Sequence, residues 1–293
     1  AFGVCFVNGV ACTDVFYIPG TGMPSSVWSM DNTAMSVFGQ MDYQISDSLT
    51  ATLGLAYSDD SKDVSGDITI IDAFAALPLE AAGLGALSGL QFFTACRNYP
   101  NADENGKFDS DDVTHTLSLS YAMSDSTSIY MTHSSGFKAT SVNMTVDARD
   151  VRAADPEDAT NIEIGLKTTF DNGYLNLAFF DQNIEGFQSN AFSGTGFNLV
   201  NAGKESHKGV ELDSMLALSE NLMLRVSAMS LDAVYDSFEK GTCDTTGLAE
   251  PQYQCPAGQP YVDLSGLNPA GIHDLSANAN IVYSFNLGGA LDG

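Results

Sequence analysis

The stretch Thr160 to Phe187, TNIEIGLKTTFDNGYLNLAFFDQNIEGF, constrains the fold more than any other, because two alternating runs flank Asn172-Gly173. An Asn-Gly pair in that setting is the strongest short-range signal for a two-residue type I′ hairpin. With Asn172 and Gly173 as the loop, Asp171 faces Tyr174, Phe170 faces Leu175, Thr168 faces Leu177 and Leu166 faces Phe179. One face then carries Ile162, Ile164, Leu166, Phe170, Leu175, Leu177 and Phe179, and the other carries Glu163, Lys167 and Asn176. A soluble sandwich also buries one face of each strand, so the distinction must come from the remaining hairpins.

Three further runs fold the same way. AMSVFGQMDYQISDSLTATLGLAYSDD turns at Ser46-Asp47-Ser48 and sets Ile45 against Leu49, Tyr43 against Ala51 and Met41 against Leu53, with Asp42 and Thr52 on the polar face. THTLSLSYAMSDSTSIYMTHSSGFK turns at Asp125-Ser126-Thr127, with Met123 facing Ile129 and Tyr121 facing Met131. KGVELDSMLALSENLMLRVSAMSLDAVYDSF turns at Ser219-Glu220-Asn221, with Leu218 facing Leu222, Leu216 facing Leu224 and Leu212 facing Ala228. Tight turns alternate with long, Gly/Asp/Asn-rich loops. That asymmetry belongs to transmembrane β-barrels, which cross in about 9–11 residues with alternating faces, whereas a sandwich distributes loop length more evenly. Aromatic residues gather beside the short turns at Tyr43, Tyr121, Phe170, Tyr174, Tyr283 and Phe285, where a barrel places an interfacial girdle.

Along the chain, residues 1–32 read as a loop-rich entry, 33–238 as hairpin repeats, 239–271 as a long outer loop and 272–286 as the last strand. The segment Ile68 to Ala95 reads as a strand followed by a loop or short helix, since Asp72, Pro78, Glu80 and several glycines break it. The balance of 37 acidic against 11 basic residues, a formal charge of −26, would repel a polyanion, so nucleic acid is excluded as a partner. The acidic run DENGKFDSDD lacks EF-hand spacing and reads as a solvated loop, with a calcium site as the alternative.

Cys243 and Cys255 bracket a turn-rich stretch and form the first candidate disulfide; Cys5 and Cys12 form the second, and Cys96 is left over. No nucleophile elbow and no phosphate-binding loop is present, and the reading is of a non-enzyme without a cofactor. His115, His133, His207 and His273 are separated along the chain. His207 and His273 stand near outer strand ends, as haem ligands or as simple strand and rim histidines.

Four segments, VFGQMDYQISDSLTATLGLAYSDDSKD, LSYAMSDSTSIYMTHSSGFKATSVN, PEDATNIEIGLKTTFDNGYLNLAFFDQNIEGFQ and NAGKESHKGVELD, resemble in order and spacing the barrel domain of TonB-dependent outer-membrane receptors. The resemblance covers most of Thr33 to Phe238 and resumes at Ile272 to Phe285. It implies an all-β, antiparallel up-and-down transmembrane barrel of about twenty-two strands around an N-terminal plug, of which this chain supplies about ten to twelve. It further implies an outer-membrane location in contact with lipid, and a large solute ligand such as a ferric siderophore, haem, cobalamin or glycan. Energy coupling would come from the TonB complex acting on the plug. Plug, coupling box and closing strand are not visible in the sequence, so the chain reads as a fragment.

Gly136, Phe137 and Lys138, Asn172 and Gly173, Asn201, Ala202, Gly203 and Lys204, and Gly209 and Glu211 match the family's motifs, with a structural role expected for them. Two alternatives stay open. One is a passive porin or structural barrel; the other is a secreted soluble β protein, a binding module or enzyme.

Overall fold

A computed structural model describes residues 6–7, 10–11, 24–70, 81, 83, 101–144, 153–192, 197–244, 249–256 and 261–285. Its frame is one antiparallel sheet of nine strands: β1 Pro24–Ser46, β2 Leu49–Ile70, β3 Asn101–Ser124, β4 Thr127–Lys138, β5 Glu157–Phe170, β6 Gly173–Glu185, β7 Lys204–Ser219, β8 Leu222–Ser237 and β9 Leu275–Tyr283. Each strand pairs with its neighbours in sequence, so the order runs from β1 at one edge to β9 at the other without a crossover. This is the up-and-down meander expected of a barrel wall; its count among the described residues is nine rather than ten to twelve.

Four tight turns stand at one end, and three of them share one construction. Ser46 pairs with Leu49, Ser124 with Thr127 and Ser219 with Leu222, leaving Ile45, Met123 and Leu218 as bulged residues. The serine Oγ accepts the backbone N–H two residues on, at 3.4 Å for Ser48, 3.3 Å for Ser126 and 3.3 Å for Asn221. A bulge absorbs one residue and lets a two-residue turn close a register that counting alone assigns to a three-residue loop. Gln44 with Thr50, Tyr43 with Ala51, Leu216 with Leu224 and Leu212 with Ala228 therefore pair as expected, while Ile45 and Leu218 do not.

Two hairpins slip by two residues from their expected register. Tyr121 pairs with Ile129 and Leu119 with Met131, because the second turn closes at Asp125-Ser126 as its siblings do. At the Asn172-Gly173 hairpin the turn is Asp171-Asn172, and Gly173 pairs with Phe170 as the first strand residue. Gly173 is needed there for space: a Cβ would collide with the Met215 carbonyl oxygen of β7. A slip of two leaves every side chain on its assigned face, since the side-chain period is two. Leu175 now faces Thr168, Leu177 faces Leu166 and Phe179 faces Ile164. Tyr174 lies on the polar face opposite Thr169, not in the girdle with Phe170.

No second layer covers either face of the sheet among the described residues; the sheet's contacts run between hydrogen-bonded neighbours. Leu55, Leu117, Ile164 and Phe179 stand on one face, each about half exposed at 50%, 48%, 52% and 53%. Residues that do reach full burial, such as Val64, Ala154, Ala202, Ala233 and Phe238, lie toward the long-loop end. A sandwich would cover the apolar face with a second sheet. A bilayer covers it instead, and no described helix is long and apolar enough to cross one.

The first three strands reach well past the membrane. Leu49 to Tyr57 on the apolar face climbs about 20 Å at ~3.3 Å per residue and a tilt of ~40°, close to the ~25 Å apolar band of an outer-membrane barrel. β2 continues to Ile70 with Asp59, Ser61 and Asp63 on that face. The strand therefore begins at Pro24 rather than Thr33 on β1, and the acidic run DENGKFDSDD is strand rather than loop, paired along β2 from Asp67–Asp103 to Ser58–Asp112. Alternation sends Asp109 and Asp111 to one face and Asp112 to the other, and no described group of three or more His, Cys, Asp or Glu is gathered to hold a metal ion.

Candidate lumenal site and outer cap

The long-loop ends of β4 to β8 are tied together by short ribbons and by a few amide side chains. Ser141–Val142 pairs with Ala153–Ala154, and Gln188–Phe192 pairs with Phe197–Asn201. Asn143 donates to the Leu199 carbonyl at 2.9 Å and accepts the Leu199 N–H at 2.7 Å. Asn201 donates to the carbonyls of Asp155 (2.9 Å) and Gly186 (2.6 Å) and accepts the Asp155 N–H at 2.8 Å. Gly203 follows at φ 92, in the left-handed region, and its carbonyl accepts the N–H groups of Gly186 (2.7 Å) and Phe187 (3.3 Å). Asn201, Ala202 and Gly203 thus form the corner where three loops meet, with Ala202 buried in it.

A second cap covers the end of β8. Gly241–Thr242 pairs with Tyr261–Val262, and Cys243 is bonded to Cys255 with Cα atoms 4.9 Å apart. The Phe238 N–H donates to Ser265 Oγ at 2.8 Å, and Tyr235 exchanges backbone bonds with Leu267 (3.0 Å) and Gly266 (2.7 Å). The Tyr235 ring lies 5.0 Å from Phe238 and 6.4 Å from Phe187, centroid to centroid. Cys5, Cys12 and Cys96 lie outside the described residues.

On the strands, the polar face holds a recess of about 510 Å³. Five strands line it: Ser134, Ser135 and Gly136 from β4, Ala159, Thr160, Asn161 and Glu163 from β5, Phe180 and Gln182 from β6, His207 and Glu211 from β7, Met229 and Leu231 from β8. His207 Nε2 bonds Glu205 Oε1 at 2.8 Å; Glu205 is 2% exposed, and its second oxygen has no partner among the described residues. Deeper, the Tyr130 hydroxyl donates to Glu163 at 2.5 Å and Lys167 lies 5.0 Å over the Tyr130 ring. The tyrosine ring packs over Gly165, where a Cβ would clash with it.

The sequence-selected residues divide between wall and scaffold. Gly136 and Glu211 line the recess, Gly209 makes room for the Phe180 ring, Lys138 pairs with Glu157 at 2.6 Å, and Lys204 pairs with Glu185 at 3.6 Å. Phe137 lies opposite Asp158 on the other face. His207 is in the recess wall, while His273 is exposed in the segment before β9 and does not line it. Sequence reading passed over Glu205, although its period-two spacing with His207 and Glu211 was a signal that one face of β7 carries all three.

Comparison with known proteins agrees with this geometry. The family described as TonB dependent receptor-like, beta-barrel matches residues 7–292. Among solved structures, the ferric yersiniabactin uptake receptor FyuA of Yersinia pestis aligns with a TM-score of 0.63 at 15% identity, over 90% of this chain and 33% of its own. The siderophore receptor PiuA of Acinetobacter baumannii aligns with a TM-score of 0.60 at 17% identity, over 87% of this chain and 32% of its own. The chain therefore spans about a third of the length of the solved structures it matches. An apolar face bare of any second layer among the described residues, a polar face with a recess and a meander from edge to edge converge with that match: the chain is a stretch of outer-membrane β-barrel and belongs to the TonB-dependent receptor family.

Proposed function

We propose that this chain supplies the ligand-facing wall and outer cap of a receptor that takes up a scarce large solute by energy-coupled transport. The observation that carries the reading is the recess that five strands build on the lumenal face, with the His207–Glu205 pair at its wall. A passive pore needs an unobstructed lumen, whereas a receptor needs a preformed surface that holds a ligand until a gate opens. Because the similar structures are described as receptors for ferric yersiniabactin and for siderophores, a metal chelate is the first solute class to test. The TonB complex and a plug elsewhere in the full-length protein would supply coupling and gate.

The test is uptake in cells producing the full-length protein, grown under iron limitation with added ferric chelates and compared with a deletion strain. Uptake that needs the protein and stops when the proton-motive force is collapsed is the expected result. Unaided solute flux through the full-length protein reconstituted in vesicles would overturn it in favour of a porin.

A further inference from the structure

The strand register sets the lumenal side chains in rows, and three rows meet in the recess. The row nearest the long loops runs Ser134, Asn161, Gln182 and His207 from β4 to β7. The next runs Glu163, Phe180, Gly209 and Leu231 from β5 to β8, and below it Glu211 stands beside Met229. The Phe180 ring lies over Gly209, where a Cβ would clash with it, and so reaches the strand that carries Glu211. The first row offers uncharged hydrogen-bonding groups, the second and third two carboxylates beside an aromatic ring.

The sign of the wall is negative. Glu163 and Glu211 line it, and among the described residues no lysine or arginine does. Lys167 stands lower, held 5.0 Å over the Tyr130 ring, and offsets one of the two charges. His207 bonds Glu205 at 2.8 Å, so a proton on the imidazole is matched by the carboxylate and the pair carries no net positive charge. Glu205 is 2% exposed, and its Oε2 has no partner among the described residues. A buried carboxylate short of a donor is costly, and a cation seated beside it recovers part of that cost.

We infer that the recess receives a cationic arm of the solute, an ammonium or guanidinium group on a short apolar stem, and disfavours solutes that present anionic groups there. The inference rests on the reading of this face as ligand-facing. Tyr130 takes only Oε1 of Glu163, so Oε2 and the Glu211 carboxylate remain to accept charge-assisted N–H bonds. The Phe180 ring adds a cation–π contact, and the stem lies against Met229 and Leu231 on the apolar side. A volume of about 510 Å³ holds one drug-sized group, which is an arm of a large solute rather than the whole of it.

The experiment is calorimetric titration of full-length receptor in detergent micelles with agmatine, a short alkyl chain ended by a guanidinium and an ammonium. Salt at about 0.15 M screens charges more than about 8 Å away. Agmatine should bind saturably, and Glu163→Gln or Glu211→Gln should each weaken it by about tenfold or more, the loss expected for a charge-assisted hydrogen bond. Glu220→Gln, which removes one carboxylate at an exposed short turn, should leave the affinity unchanged. γ-Guanidinobutyrate, with a carboxylate in place of the ammonium, should bind more weakly than agmatine. Heat-dependent electrophoretic mobility checks that each barrel is folded. Equal agmatine affinity in the folded Glu163→Gln/Glu211→Gln double variant, no saturable binding to the parent, or an equal loss in Glu220→Gln would overturn the inference. Protein-dependent uptake of ferric chelates alongside any of those results leaves the receptor reading standing, whereas cation binding without such uptake fails the receptor reading alone.

Discussion

The Asn172 carbonyl accepts the Ala217 N–H at 2.7 Å while the Asn172 side-chain amide donates to the Ala217 carbonyl at 3.0 Å. One turn residue thus closes the end of the neighbouring strand in both directions. The same carbonyl position does so at every short turn: Ser48 accepts from Ala122, Ser126 from Thr169 and Asn221 from Ser284, at 2.8 Å each. The rim is stitched turn to strand all along the sheet. Asn172→Ala removes one of the two bonds and should cost about 0.5–1.5 kcal/mol of barrel stability. Gly173→Ala, which drives a methyl into the Met215 carbonyl, should cost more; urea midpoints of the refolded full-length protein in detergent read both, and equal midpoints would contradict the assignment.

Facing predicts tolerance to charge. Leu177 lies on the lipid side and Asn176 on the lumenal side of the same strand. Leu177→Arg puts a cation in the apolar band at about 2–4 kcal/mol near the midplane, whereas Asn176→Arg enters a polar space containing Asp213. Folded barrel in outer-membrane fractions should drop sharply for the first variant and little for the second.

Faces were legible in the sequence and registers were not always, for one physical reason. Alternation has period two, so the pattern of Ile162, Ile164, Leu166, Leu175, Leu177 and Phe179 is satisfied equally by registers two residues apart. What selects between them is the neighbouring strand: the Met215 carbonyl beside Gly173, and the bulges at Ile45, Met123 and Leu218 that a serine cap makes cheap. The recess was illegible for a similar reason, since Glu163, Gln182, His207 and Met229 come from four strands and meet only once the registers are set. The acidic run on β3 misled because its composition favours solvent, and strand extensions beyond the bilayer are solvated too.

Glycines that share one motif-level description separate in structure. Gly203 sits at φ 92 with the Ser237 carbonyl where a Cβ would go, so Gly203→Ala should cost about 1–2 kcal/mol from backbone strain alone, before the clash is counted. Gly136 would place its Cβ 3.7 Å from Ala159, an ordinary contact. Gly136→Ala should leave the stability within about 0.5 kcal/mol of the parent, as surface substitutions do. Calorimetry on the two folded variants tests the contrast.

The outer cap should loosen in acid through Asp263. The Ser265 hydroxyl and then the Ser265 backbone N–H, the latter at 2.9 Å, donate to its carboxylate and hold it below the usual carboxylate range. The same Ser265 Oγ accepts the Phe238 N–H, so the charged Asp263 fixes the residue that closes the cap. Because the folded form favours the ionised acid, its contribution is fully present above the unfolded value near about 3.9 and is lost as pH falls through the lower folded value. Amide exchange at Phe238 and Leu264, corrected for intrinsic rates, should therefore lose protection below about pH 4 in the parent. In Asp263→Asn the cap should start weaker and lose no further protection over that range; an unchanged acid response in this variant would assign the effect to another group.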